Sequence, residues 1–95
     1  MQPQIQTTTP ETGAFFETTD LNVGAFLLTK KIPYRGYDRS DDGRSTIFRF
    51  QPDDRIPSLI EDFASGAEVS AKDFAASLRF LTGQIRQNRR NGGAR

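Results

Sequence analysis

The stretch IPYRGYDRSDDGRSTIFRF, residues 32–50, decides how the chain is read. It divides into two short alternating runs, 32–38 and 45–51, joined by a connection that contains Asp42-Gly43. An Asp-Gly pair supplies the positive φ that a tight hairpin connection needs. In the second run Phe48 and Phe50 share one face, while Ile47, Arg49 and Gln51 share the other. In the first run Ile32, Tyr34 and Gly36 alternate with Pro33, Arg35 and Tyr37, which predicts that the two tyrosines lie on opposite faces. The same stretch interleaves aromatic and basic residues. Surfaces that hold single-stranded nucleic acid use that mixture, because bases stack on aromatic rings while arginines hold phosphates.

Working outward, residues 14–18 read as a short strand. Residues 20–31 read as a helix with Leu21, Ala25 and Leu28 on one face. Thr19 is the expected N-cap, Asp20 a favourable first-turn acid, and Lys30 and Lys31 last-turn cations stopped by Pro33. After the hairpin, Asp53 or Asp54 can cap a helix whose apolar stripe is Ile56, Leu59 or Ile60, and Phe63; Pro57 is tolerable in its first turn. Gly66 suits its left-handed end. Ser70 and Asp73 resemble a capping box. Phe74, Leu78, Leu81 and Ile85 then mark a helix from 71 to about 88. The expected fold class is α+β: short strand, helix, β-hairpin and two helices, with a small antiparallel sheet packed on one face by helices. Residues 1–13 read as a disordered N-terminal tail, 14–88 as one domain, and 89–95 as a disordered basic tail.

The 95 residues contain neither cysteine nor histidine. That excludes disulfides, thiolate or imidazole metal ligation, and Ser-His-Asp chemistry in the chain itself. No apolar run approaches the ~20 residues that span a bilayer, and no signal peptide is apparent, so the expectation is a cytoplasmic protein without a membrane partner. Net charge is +1, yet residues 76–95 carry five arginines and no acid. Ten of the 13 basic residues are arginine, the side chain that grips phosphate and carboxylate in a planar, bidentate way.

The segments FETTDLNVGAFLL, STIFRF and FASGAEVSAKDFAASLRFLTGQI together resemble a small bacterial and phage domain family of unknown function. The likeness rests on Thr18, Thr19, Asp20, Leu21, Gly24, Ala25, Phe26 and Leu27, then Phe48 and Phe50, then Phe63 and Gly66. Phe74, Leu78, Arg79 and Leu81 complete it. It spans residues 15 to about 86. Gly24 stands where that family usually has alanine, and Thr82 where a lysine often follows the last leucine. The resemblance implies no activity; by association with phages and mobile elements it points to a nucleic-acid-linked accessory role.

Three acidic pairs, Asp41-Asp42, Asp53-Asp54 and Glu61-Asp62, read as solvated surface and caps rather than a metal site, since adjacent acids diverge. Asp20 and Arg79 each sit among apolar residues; Arg79 is expected to form a structural polar pair with Asp20 at the first helix's N-terminus, or with Glu17. Arg35, Tyr37 and Arg39, joined by Arg49, are the expected outward nucleic-acid-binding strip, with Arg86, Arg89 and Arg90 adding phosphate contacts. The expectation is therefore a non-enzymatic accessory protein that takes no cofactor, metal or small-molecule substrate. It binds DNA, RNA or a nucleoprotein through arginines. The alternative is a protein-interaction or self-association module, a phage-type inhibitor of a host protein included, with no nucleic-acid contact.

Overall fold

A computed structural model of the chain describes residues 15–93. The N-terminal tail read over 1–13 and the last two residues, Arg95 among them, lie outside the described residues. The elements are β1 (Phe16–Thr18), α1 (Leu21–Thr29), β2 (Tyr34–Arg39), β3 (Thr46–Phe50), α2 (Ile56–Ala64) and α3 (Ala71–Gly93). The strands form one antiparallel sheet in the order β1-β3-β2. This is the α+β class the sequence predicts.

β3 takes the centre because its alternation is strict. Thr46, Phe48 and Phe50 are buried toward the helices, and Ile47 and Arg49 lie on the other face. α1 crosses that buried face. Its residues Gly24, Ala25, Phe26 and Leu27 are all buried in succession, so the helix is covered on several sides rather than along one stripe. At Gly24 α1 and α3 come close: a methyl group there would stand 2.9 Å from the Leu81 Cδ1. Phe26, Leu27, Ile32, Phe48, Phe50 and Leu81 form the fully enclosed centre. Phe63 of α2 meets the Phe26 ring at 4.9 Å, and Phe74 of α3 continues the aromatic row at 6.3 Å. Phe63 and Phe74 are only half-buried at its edge.

The ends of the helices follow local chemistry, with shifts from expectation at three of them. The N-cap of α1 is Asp20 rather than Thr19; its carboxylate accepts the N–H groups of Asn22 and Val23. An ionised oxygen at that place satisfies two unpaired amides and opposes the positive end of the helix. At the other end Lys30 is the C-cap and Lys31 stands beyond it at φ 69. Lys31 N–H donates to Leu28 O and Ile32 N–H to Leu27 O, a Schellman closure that swings Ile32 into the core. α2 ends the same way around Gly66 at φ 90, as expected. Its N-cap is Arg55, with no side-chain cap, rather than Asp53 or Asp54; the Asp53 carboxylate takes the N–H and guanidinium of Arg55 instead of first-turn amides. Ser70 caps α3 through Asp73 N–H.

Two larger corrections concern β2 and α3. Tyr34 pairs with Phe50 and Tyr37 with Phe48, so three steps along β2 match two along β3. The extra residue is a bulge, with Gly36 at φ 103. Past it every side chain changes face. Both tyrosines therefore pack against the core, not on opposite faces. α3 also continues well beyond residue 88, so Arg89 and Arg90, read as part of a tail, are helical.

These backbone positions give a test of opposite sign. No atom lies within 4 Å of a methyl group built at Gly36, so Gly36→Ala is expected to cost only backbone strain, about 1–2 kcal/mol. Lys31→Gly relieves the corresponding strain and is expected to stabilise by about 0.5–1 kcal/mol. Urea unfolding of both variants checks the pair; an unchanged midpoint for Gly36→Ala would remove the bulge.

Candidate functional site

The bulge turns Tyr37 and Arg39 to the same side as Tyr34, toward α3, where three polar residues spaced four and three apart meet them, Asn88 through its main-chain carbonyl. The Tyr34 hydroxyl donates to Gln84 Oε1 at 3.0 Å. An Arg39 Nη2 donates to the Asn88 carbonyl at 3.0 Å, and Asn88 Nδ2 donates to Thr46 Oγ1 at 2.8 Å. Asn91 Nδ2 donates to the Tyr37 hydroxyl at 3.4 Å. Thr46 and Asn88 are the buried polar residues among those described. Tyr34 also packs edge-on against Phe50 at 5.5 Å and Phe80 at 5.3 Å. Burial, reinforced by the neighbouring Tyr37, pushes its phenol up to about 12.

The outer face of the sheet uses its charge internally. Arg49 Nε meets Glu17 at 2.7 Å, its Nη2 meets Asp38 at 3.0 Å, and its guanidinium stands 5.8 Å from the Phe15 ring centre. Such half-exposed pairs add little stability, but they leave Arg49 flanked by two carboxylates. The expected strip therefore separates: Arg35 is exposed on the outer face, Arg49 is neutralised there, and Tyr37 and Arg39 are engaged with α3. Nor do Asp20 and Arg79 pair. Asp20 is occupied as a cap, Glu17 is taken by Arg49, and Arg79 makes no ion pair among the described residues.

Arg79 belongs instead to a feature of α3 that the sequence reading passed over. Lys72, Arg79, Arg86 and Arg90 are all exposed and spaced seven, seven and four residues apart. At 100° per residue they fall on one line opposite Leu81, Ile85 and Asn88. The line runs about 27 Å from end to end at 1.5 Å per residue. Ala76 and Gly83 lie between the cations, so little side-chain bulk stands beside them. Leu78, Arg79, Thr82 and Arg86 border a shallow depression of about 270 Å³. After Asp73 the helix holds no acid. Arg89 leans away from this line toward the hairpin connection. The signal was available as a seven-residue basic repeat, but Phe80 and Leu81 beside Arg79 obscured it.

Carboxylates are spent locally. Asp42 accepts the Ser40 hydroxyl and Arg44 N–H, which hold it below the usual range. Asp53 is held down likewise by the Arg55 guanidinium and N–H. No protein-family model, curated protein or solved structure matches the chain. Among the described residues, no helix is long and apolar enough to cross a membrane.

With two tyrosines and no tryptophan in the chain, the β2–α3 contact can be followed by tyrosinate absorbance. Burial disfavours the ionised phenol, so its contribution to stability is complete below the free-tyrosine value near 10. It is lost as pH rises from there through about 12. In Tyr37→Phe the one remaining phenol is expected to titrate well above pH 10, and Gln84→Ala to lower it. A value near 10 in Tyr37→Phe itself would place Tyr34 in water.

Proposed function

We propose that the protein is a non-enzymatic accessory factor that binds the sugar–phosphate backbone of nucleic acid along the outer face of α3. The observation that carries this reading is the line of Lys72, Arg79, Arg86 and Arg90. One helix holds these cations at set separations, and small residues between them permit close approach. A 27 Å line spans about eight phosphates of one strand. Arginine at three of the four positions favours bidentate phosphate contacts. Contacts of this kind position a protein on a duplex or strand without reading sequence. Tyr34 and Tyr37 are turned into the fold, so base stacking has a small part in this reading. The motif likeness to a phage and bacterial family agrees with it by association only.

Four phosphate contacts predict that log K falls against log salt with a slope of about −3.6 on duplex and about −2.8 on a single strand. Arg79→Gln with Arg86→Gln is expected to reduce either slope by roughly half. Fluorescence anisotropy on a mixed-sequence oligonucleotide from low to moderate salt reads both. Binding that is absent at low salt, or indifferent to salt, defeats the proposal.

A second reading is supported by a different surface. Phe15, Phe16, Pro52, Ile56, Pro57 and Ile60 line an apolar groove of about 520 Å³ between β1 and α2. A protein partner or a second copy seated there would bind through apolar contact with weak salt dependence. Light scattering on Ile60→Asp beside the unaltered chain separates the self-association form of this reading.

A further inference from the structure

We infer that a recessed pit at the C-terminal end of α3 holds a single phosphate monoester, the terminal phosphate of a nucleic-acid strand; this rests on the backbone-binding reading above. The pit, about 170 Å³, lies between α3, the hairpin connection and the start of α1. Arg39, Arg44 and Arg89 border it from three separate elements of sequence; Thr19, Thr46 and Asn88 add polar wall, and Phe48 and Ile85 an apolar floor. None of the residues lining it is acidic. The adjoining loop carboxylate, Asp42, is already taken by the Ser40 hydroxyl and the Arg44 N–H.

The chemistry of the wall suits a compact dianion. A guanidinium has five N–H donors, and Arg39 gives one of its Nη2 hydrogens to the Asn88 carbonyl, which fixes its plane while leaving donors for a ligand. Arg44 and Arg89 are exposed and line the same space from the hairpin connection and from α3. Thr46 and Asn88 bond each other; among the described residues, the second Asn88 amide hydrogen and the Thr46 hydroxyl hydrogen have no other acceptor. Buried polar groups of this kind cost free energy unless they are satisfied, and a phosphate oxygen would satisfy them. A monoester carries close to two charges and three free oxygens at neutral pH, whereas an internal diester has one charge and two. Three converging arginines match the monoester. Position agrees as well: Arg89 lies on the same turn as Arg86 and Arg90, where the basic line of α3 ends. Arg89 itself stands about 100° round the helix from that line, on the flank between it and the pit, so a strand following the line reaches the pit by turning across this flank at its end.

The experiment compares one oligonucleotide with a 5′-phosphate, a 3′-phosphate or hydroxyls at both ends, bound to the full chain at fixed salt. One phosphorylated form is expected to bind roughly tenfold tighter than the hydroxyl-ended form. That advantage is expected to vanish in Arg44→Gln and Arg89→Gln. In Arg79→Gln affinity falls for all three and the advantage stays. Inorganic phosphate and a nucleoside monophosphate form separate arms, read by amide shifts at Thr46, Asn88 and Arg89. Shifts there with no oligonucleotide binding would keep the phosphate pit while overturning the strand-end source and the backbone reading. Equal affinity for all ends, or an advantage that survives both pit substitutions, would overturn the inference.

Discussion

One extra residue in an edge strand governs the rest. The bulge at Gly36 reverses the facing of everything after it in β2, so Tyr34 and Tyr37 lie on the same side. Without it Tyr37 and Arg39 would stand on the solvent face beside Arg35, and the second half of α3 would lose its bonds from Arg39 to Asn88 and from Asn91 to Tyr37. With it, β2 presents two phenols and a guanidinium to Gln84, Asn88 and Asn91. That contact sets the rotation of α3 about its axis. Once Leu81, Ile85 and Asn88 face inward, Lys72, Arg79, Arg86 and Arg90 have no direction left but outward.

The arginines consequently do different work although the sequence presents them as one class. Arg39 is a tie between strand and helix, Arg49 is held between Glu17 and Asp38, and Arg55 is bound to Asp53 beside α2. The surplus that remains is concentrated on α3 and the hairpin connection. A near-neutral total thus coexists with one strongly basic face. The field of that face, rather than the net charge, is what a polyanion approaching the protein encounters.

Much of the architecture was legible because it rests on local rules. The period of Phe74, Leu78, Leu81 and Ile85, the alternation of Phe48 and Phe50, the Asp-Gly turn, Ser70 and Gly66 all act through nearest neighbours. What was not legible depends on partners distant in sequence. Gly36 reads as an ordinary alternating position until β3 is laid beside it. Thr19 and Asp20 are both capping types, and the choice between them rests on where β1 releases the chain. The last turns of α3 bear no apolar residue after Ile85, so periodicity had nothing to register there. The candidate site was legible as a set of residues but not as a surface. Of the expected strip only Arg35 is exposed and unengaged among the described residues, while Arg79, assigned a structural role, lies at the centre of the basic line.

The manner in which α3 is anchored has a consequence for how the protein responds to what it binds. Its first half is fixed by Phe74, Leu78 and Leu81 in the core, and its second half by a few hydrogen bonds, each contributing about 1 kcal/mol. Such a helix does not open as a unit: its C-terminal turns form a region of lower local stability that detaches before the core does. Arg86, Arg89 and Arg90 are all carried on that region. Any anion that engages them binds the closed state alone, and at a hundredfold excess over its Kd adds about 2.7 kcal/mol to it. On the proposed binding, occupancy of the basic face would be recorded as rigidity in the edge strand on the far side of the helix.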